Sequence, residues 1–372
     1  MAGGRGVEKN WRGFLAAVLF CTPALAQEQV ADASVVTEAP VVTTAPAVTT
    51  EEPAKKKKKA PKTESLGEAP NEADDTVPEK SLRVFGRVFA RASADEREDF
   101  SRSLSVESAR VGVSTSFEYV EAEVSADLSS KSILKDAFVR LADSKKRLRL
   151  YGGQFKAPFL ARTLESSWGL PLMQRGLVED YLTDTHELGG RRMGLMGEVR
   201  LKELWNFKFS GGLFEGSKDE LGKRTSEDAA ARVSVSPFKG LTVGASSYLA
   251  QVMEGTRRHA LAAEGALKLG GLMVSGEIVT GQLALGPFTG QLALVSYMLP
   301  VGEDKQWALQ PVVGAEALQL RGDVAGRGWS AVGGLNVLLS DAFKAQLQAE
   351  HALRPGDEVP GTEFSLQLAT RF

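Results

Sequence analysis

The sequence predicts an all-β protein: a transmembrane antiparallel β-barrel of about 16 strands, preceded by a signal peptide and a disordered linker. Three observations on the 372-residue chain lead to this prediction. Short segments alternate between apolar and polar residues, the N-terminus resembles an export signal, and no apolar run reaches the length of about 18 residues that a membrane helix needs. We therefore expect a signal peptide at 1–26, a linker at 27–80 and an outer-membrane barrel at 81–372.

The N-terminal segment has the three parts of a secretory signal peptide. Basic residues up to Arg12 precede a short apolar stretch at 14–21, and Ala24-Leu25-Ala26 fits a cleavage site between small residues. A buried N-terminal helix is the alternative, but the apolar stretch is too short for it. Cys21 is the single cysteine, so its removal with the signal would leave a mature protein without disulfides or thiolate metal sites.

The segment at 27–80 is rich in Ala, Val, Thr, Pro, Glu and Lys and has almost no aromatic residue. Such a composition cannot bury enough apolar surface to become ordered, so a disordered periplasmic linker is predicted. A run of lysines within it begins at Lys55 and ends at Lys59. We interpret the run as part of a solvated spacer because acidic residues flank it. Contact with an anionic cell-wall polymer or with lipid head groups is the alternative.

From Leu82 onward the sequence alternates with a period of two. In the first segment Leu82, Val84 and Val88 share one face, while Arg83 and Arg87 share the other. Side chains of a strand point alternately to opposite faces, so the pattern predicts strands with unlike faces. The same pattern recurs, among other places, at 109–115, 120–126, 137–141, 193–201, 241–245, 261–267, 272–278, 343–349 and 364–368.

The connections between these segments predict an orientation in the membrane. Short turns are expected at 202–203, 270–271 and 340–341, and longer connections at 93–101, 215–227 and 354–362. Outer-membrane barrels alternate short periplasmic turns with longer outer loops, so both chain ends should be periplasmic. Trp205, Trp307 and Phe343 each follow an expected short turn, where an aromatic belt would meet the membrane interface.

A soluble β-sandwich or β-helix is the competing fold. Charged residues such as Glu121, Arg140, Glu198 and Lys208 occupy mid-strand positions on the polar faces. A water-filled lumen accommodates them, whereas a dry core would not. The formal net charge of −2 provides no basic field for nucleic acid, so no nucleic-acid partner is expected.

Two stretches of the predicted barrel are distinctive: ILKDAFV at 133–139 and LRLYGGQFKAPF at 148–159. They resemble segments of the phosphate-selective porin (O/P) family. Further similar stretches follow in order: RRMGL at 191–195, ARVSVSPF at 231–238, SYML at 296–299 and GGLN at 333–336. Together they span the predicted barrel and exclude the linker.

The resemblance implies a sixteen-stranded barrel, usually a homotrimer, through which small anions such as phosphate or other hydrophilic solutes diffuse across the bacterial outer membrane. The barrel would contact outer-membrane lipid. Two features depart from the family pattern: the chain has only 5 tyrosines, and its predicted lumen mixes acidic with basic residues. The sequence therefore leaves the selectivity for phosphate open.

The longest connection begins at Lys156 and ends at Gly190 and leaves the fifth predicted strand toward the outside. A connection of this length without regular structure is usually functional. We expect it to fold into the lumen and to narrow the pore, as pores select by diameter and by charge at their narrowest point. An external cap that never enters the lumen is the alternative.

Inward-facing basic residues are the candidates for pore-lining and anion-binding positions, because guanidinium groups suit phosphate and carboxylate. Ordinary lumen salt bridges to Glu121, Glu123, Asp127, Glu264, Glu277 and Glu316 are an equally weighted alternative, so only a modest anion preference is expected. The candidates are Arg83, Arg87, Arg91, Arg110, Arg149, Arg192, Arg232 and Lys156.

An enzyme is not expected. Barrel hydrolases generally use a histidine beside a serine or a carboxylate, and none of His186, His259 and His351 stands in such a motif. The sequence contains no cofactor-binding or metal-ligand pattern, so no cofactor and no metal are expected. A structural or adhesive barrel with a cell-wall-associated linker remains an alternative to a porin.

The C-terminal residue Phe372 shares its parity with Phe364, Leu366 and Leu368, as a closing strand requires. Terminal aromatic residues of this kind resemble those that the outer-membrane barrel assembly machinery reads. We therefore expect Phe372 to face lipid and to contribute to assembly through that machinery.

Overall fold

The computed structural model describes residues 81–216, 226–251, 258–284, 286–302, 306–322 and 326–372. The predicted signal peptide, its cleavage site, the linker and the lysine run at 55–59 lie outside the described residues. No described helix is long and apolar enough to cross a membrane.

The described chain consists almost entirely of β-strands, with two one-turn helices. Residues 161–164 form α1 and 177–180 form α2, and a π-helical turn follows at 181–185. The strands are β1 Ser81–Asp95, β2 Ser101–Phe117, β3 Val120–Asp127, β4 Leu134–Ala142, β5 Leu148–Lys156, β6 Arg191–Leu201, β7 Phe207–Glu215, β8 Glu227–Phe238, β9 Leu241–Ala250, β10 Arg258–Leu269, β11 Leu272–Leu283, β12 Gly286–Tyr297, β13 Leu299–Val301, β14 Trp307–Leu320, β15 Gly326–Leu339, β16 Phe343–Leu353 and β17 Gly361–Arg371.

The strands form one closed antiparallel barrel. Each strand pairs with its neighbours along the chain, and β1 pairs with both β2 and β17. The short β13 pairs with β14, as β12 does, so β12 and β13 form one strand interrupted at Met298. The barrel therefore has sixteen strands, and the predicted fold is confirmed. Closure leaves no strand edge exposed.

The two faces of the barrel wall differ as the alternation predicts. On β1, Leu82 is 73% exposed and Val84 is 58% exposed, whereas Phe89 is 6% exposed and Arg91 is 9% exposed. Apolar side chains exposed on the outer face are the surface expected against lipid hydrocarbon.

The seam between the first and last strands ends at Phe372. Its backbone N–H donates to the Gly86 carbonyl at 3.0 Å, and the Gly86 N–H donates to the Phe372 carbonyl at 3.1 Å. The Phe372 ring covers Gly86, and a Cβ added at Gly86 would overlap this ring. Glycine at this position thus allows the terminal aromatic ring to lie flat on the outer face of β1.

Short turns and longer connections alternate, as the sequence predicts. The barrel end that holds Ser81 and Phe372 has short turns such as 118–119, 239–240 and 270–271, and the other end has the long connection 157–190. One connection at the long-loop end, 284–285, is also short.

The predicted two-residue turn at 202–203 is wrong. The turn covers 202–206, because Trp205 and Asn206 both adopt positive φ and the Asn206 N–H donates to the Lys202 carbonyl at 3.2 Å. Trp205 therefore lies in the turn and not at the start of β7, whereas Trp307 and Phe343 begin β14 and β16.

We expect Gly86→Val to weaken closure of the barrel, because its side chain would displace the Phe372 ring. The unfolding temperature of the barrel, read from its heat-modifiable electrophoretic migration, should fall by several degrees, as about 1–3 kcal/mol of overpacking would produce. Gly333→Val is the matched control, since an added Cβ at Gly333 meets nothing within 4 Å. Equal unfolding temperatures for the two variants would contradict the proposed role of the seam.

Candidate functional site

The connection between β5 and β6 lies inside the barrel, as the sequence analysis expects. Phe159, Leu182 and Leu188 of this connection are all 0% exposed. Its polar groups bond to inward-facing side chains of distant strands, among them Ser246 on β9 and Asn336 on β15. We call residues 157–190 the inserted loop.

Apolar packing holds the inserted loop to one part of the inner wall. Inward-facing residues of β5 to β12 and of β14 form a cluster with the loop, and Val178, Val279 and Phe288 are among its members. A second cluster joins Leu172 of the loop to Leu294 and other residues of β12 to β15. This burial excludes water from that side of the lumen.

The sequence analysis predicted a water-filled lumen and did not identify the apolar inward-facing residues that the loop covers. The signal was present in the alternation, because the inward positions of β10 to β15 carry small or apolar residues. They are Ala260, Ala262, Val279, Leu283, Phe288, Leu294, Val312, Leu318, Leu320 and Val332.

Buried carboxylates of the wall accept backbone N–H groups of the inserted loop. Glu316 on β14 accepts from Val178 at 2.9 Å, and Glu277 on β11 accepts from Arg162 at 3.3 Å. Gly176 precedes α2 with φ of 111°, and a Cβ there would overlap the Glu316 carboxylate. These glutamates therefore position the loop and are not the lumen salt bridges that the sequence analysis offered as an alternative.

Donors on β15 and β16 bind backbone carbonyls in the middle of the loop. The Lys344 ammonium donates to the Trp168 carbonyl at 2.9 Å and to the Leu170 carbonyl at 3.1 Å. The Asn336 amide donates to the Pro171 carbonyl at 2.7 Å. Buried backbone carbonyls need such partners, so these side chains make the inserted position of the loop compatible with burial.

Three of the candidate basic residues also bind the loop. Arg91 donates to the Met173 carbonyl at 3.4 Å and to Gln367 at 2.9 Å, and it pairs with Glu107 at 3.5 Å. Lys156 donates to the Glu165 carbonyl at 2.7 Å. Arg192 donates to carbonyls of Gly189 and Glu187.

Three further candidates are paired with carboxylates. Arg110 bonds to Asp136 on β4, Arg232 bonds to Glu264 on β10, and Arg149 lies 3.5 Å from Glu198 on β6. The last carboxylate also pairs with Arg200 at 2.6 Å and Lys208 at 3.1 Å, so three cations share it.

The remaining candidates, Arg83 and Arg87, have no carboxylate within 4 Å among the described residues. Arg83 is exposed, and Arg87 donates to the Ser108 hydroxyl at 3.3 Å. In register, Arg87 lies directly opposite Arg371 on β17 and Arg110 on β2. Like charges directly opposite one another repel. Because three arginines are neighbours in this row, the electrostatic potential of this part of the inner wall is more positive.

The sequence analysis did not select several other inward-facing basic residues. The alternation of inward and outward positions would have identified them, because they share the parity of inward-facing residues on their strands. They include Arg140, Arg200, Lys208, Arg258, Lys268, Lys344 and Arg371.

An acidic group of the inserted loop has an altered pKa. Burial, reinforced by the neighbouring Glu179, raises the pKa of Asp180 to about 8. Asp180 is therefore neutral at pH 7 when the loop is in place, and its ionisation would oppose the burial of α2.

Two of the three histidines contact neighbouring side chains of the barrel or the loop. The His186 ring packs edge-on against Tyr181 with centroids 4.6 Å apart, and His351 exchanges a hydrogen bond of 3.0 Å with Thr362. Among the described residues, no group of three or more His, Cys, Asp or Glu side chains could hold a metal ion.

Comparison with protein-family models gives no match. Comparison with curated proteins gives no match either. Solved structures of outer-membrane proteins do match. The anion-selective porin from Comamonas acidovorans is 10% identical with a TM-score of 0.59, and the alignment covers 79% of this chain and 100% of that chain.

The outer membrane channel DcaP of Acinetobacter baumannii is 11% identical with a TM-score of 0.59, over 79% of this chain and 97% of that chain. The trimer form of OmpT from Vibrio cholerae is 10% identical with a TM-score of 0.54, over 79% of this chain and 99% of that chain. At these identities the likeness concerns the fold, and the chain is similar in fold to outer-membrane porins.

Proposed function

We propose that the chain is an outer-membrane porin that allows passive diffusion of small hydrophilic solutes, with a modest preference for anions. One observation carries the proposal. The inserted loop fills part of the lumen and packs against apolar inward-facing side chains, including some of β5 to β7, while other inward positions of β1 to β7 carry charged side chains. A passage bounded by this charged wall would be hydrated and would be narrowed by the loop.

The charge of this wall supports the preference for anions. Basic side chains at inward positions of β1 to β7 outnumber the carboxylates. The basic residues are Arg83, Arg87, Arg91, Arg110, Arg140, Arg149, Arg192, Arg200 and Lys208, and the carboxylates are Glu107, Glu121, Glu123, Asp127, Asp136 and Glu198. Most of these basic side chains are paired with carboxylates or bound to the loop. Salt also screens the field of a charge at distances beyond roughly 8 Å, so strict selectivity is not expected.

We also propose how the segments of the chain are arranged and where they are located. A signal peptide at 1–26 would direct export, a linker at 27–80 would lie in the periplasm, and the short-turn end of the barrel would face that compartment. Phe372 at the closing seam would serve assembly by the barrel machinery. The trimer form of the OmpT match supports a homotrimer. Passive diffusion requires no reacting group, so we propose no enzymatic activity.

We expect the unmodified protein to conduct anions better than cations in a salt gradient across a planar bilayer. The variant with Arg83→Gln and Arg87→Gln should lower the anion-to-cation permeability ratio by roughly twofold, because unpaired lumen charges act within the screening length. Lys239→Gln, in the β8–β9 turn, is the control. Cation preference in the unmodified protein would refute the proposed selectivity.

Loss of a loop anchor should change conductance. Glu316→Ala leaves the Val178 N–H without its partner, which costs about 1–3 kcal/mol, so the loop should leave its position part of the time. Single-channel recordings should then show larger and less steady currents. Gln319→Ala on the outer face of the same strand is the matched control. Identical steady currents in both variants would count against a loop that narrows the pore.

The loop should also respond to pH. Because the pKa of Asp180 is raised to about 8 in the folded loop, the associated stability is present at low pH and is lost as pH rises through 8. We expect current fluctuations to increase as pH rises from about 5 to about 8 in the unmodified protein, to change little above that, and not to show this increase in Asp180→Asn. Asp341→Asn, at an exposed position in the β15–β16 turn, should behave like the unmodified protein.

A further inference from the structure

The outer face of the barrel carries a trough on β4 to β7. Its volume is about 430 Å³, within the range of roughly 300–1,000 Å³ typical of ligand pockets. Leu141, Leu148, Leu150, Val199 and Phe209 form its sides, and Gly197 and Gly211 form its floor. All seven occupy outward-facing positions of the four strands, so the trough faces lipid and not the lumen.

The trough forms where two paired outward positions are occupied by glycine. Gly197 on β6 is paired directly with Gly211 on β7, between the pairs Leu195–Leu213 and Val199–Phe209. An added Cβ at Gly197 would meet nothing within 4 Å, and one at Gly211 would first meet the Phe209 ring at 3.3 Å. Among the described residues, neither backbone nor a side chain fills the space above Gly197, so this space is open to an occupant.

A basic turn lies at one end of the trough. The β4–β5 turn at 143–147 contains Lys145, Lys146 and Arg147, and Asp143 and Leu148 on either side of these three residues line the trough. Asp143 is engaged within the turn, because it accepts the Leu148 N–H at 2.7 Å and lies 4.0 Å from Arg147. The Arg147 side chain is 50% exposed, and Lys145 is exposed.

The depth of this turn matches a lipid head group. Trp205, 63% exposed, lies in the next turn along the same barrel end. Exposed tryptophans mark the level at which hydrocarbon meets the head groups. The trough therefore extends from head-group level into the hydrocarbon of the leaflet at the short-turn end.

We propose that the trough and the 143–147 turn bind one anionic glycerophospholipid, with an acyl chain against Gly197 and Gly211 and the phosphate on the basic turn. The apolar trough suits hydrocarbon, and basic side chains at the membrane surface attract anionic head groups. A second copy of this chain is the competing occupant, because it would offer apolar side chains and exposed carboxylates such as Glu118 and Glu203 in the turns of the same barrel end. The test below separates the two. The proposal rests on the membrane insertion contained in the proposed function, and not on the selectivity of the pore.

The test uses the purified full chain in detergent, mixed with equimolar phosphatidylglycerol and phosphatidylcholine of the same acyl chains. Native mass spectrometry counts the retained lipids. We expect retention of one phosphatidylglycerol in preference to phosphatidylcholine. Replacing Lys145, Lys146 and Arg147 by glutamine should reduce this preference by roughly fivefold per charge. Lys239→Gln, in another turn of the same barrel end, should leave it unchanged.

Gly197→Leu should fill the trough and abolish retention of the lipid. Gly265→Leu is its matched control, because Gly265 also faces outward and an added Cβ there meets nothing within 4 Å. Retention that is equal in all variants would overturn the proposal. A loss of oligomer in Gly197→Leu with retention unchanged would also overturn it and would assign the trough to a second copy.

Single-channel conductance separates this proposal from the proposed function. The trough lies outside the lumen, so Gly197→Leu should conduct like the unmodified protein. Selective retention of phosphatidylglycerol by a protein that forms no channel would support the lipid site while refuting the porin.

Discussion

Backbone hydrogen bonding in the absence of water is the constraint on which the rest of this structure depends. A strand in hydrocarbon must pair on both sides, and a closed barrel is the arrangement of strands that achieves this. Here closure joins β1 to β17 and ends at the reciprocal hydrogen bonds between Gly86 and Phe372. Once the ladder is closed, alternation assigns every side chain either to lipid or to the lumen.

The inserted loop divides the lumen into unlike halves. It carries backbone groups away from water, and the wall supplies a matching partner for several of them, including Glu316 for an N–H group and Lys344 for two carbonyls. The loop also covers the apolar side chains of β10 to β15, which would otherwise face water. In the proposed function, the charged inward-facing side chains of β1 to β7 then form the surface available to a permeating solute.

On the outer surface too, the shape of the barrel wall determines what can pack against it. Most outward positions carry bulky apolar residues, and the glycine pair on β6 and β7 leaves a trough beside a basic turn. In the lumen a gap in the wall is filled by the chain's own loop. For the trough on the outer face, the occupant that we propose comes from the membrane, and the charge at the rim would then select between lipid classes.

The sequence by itself determined the strands, their inward and outward faces and the long connection after β5, because alternation with period two and turn composition are local properties. It could not decide which arginines face solute. The partners of Arg91 and Arg232 are Gln367 and Glu264, which only the closed ladder and its register bring close. The tertiary structure also decided that Glu277 and Glu316 hold the loop, since their role depends on where residues distant in the chain pack inside the barrel.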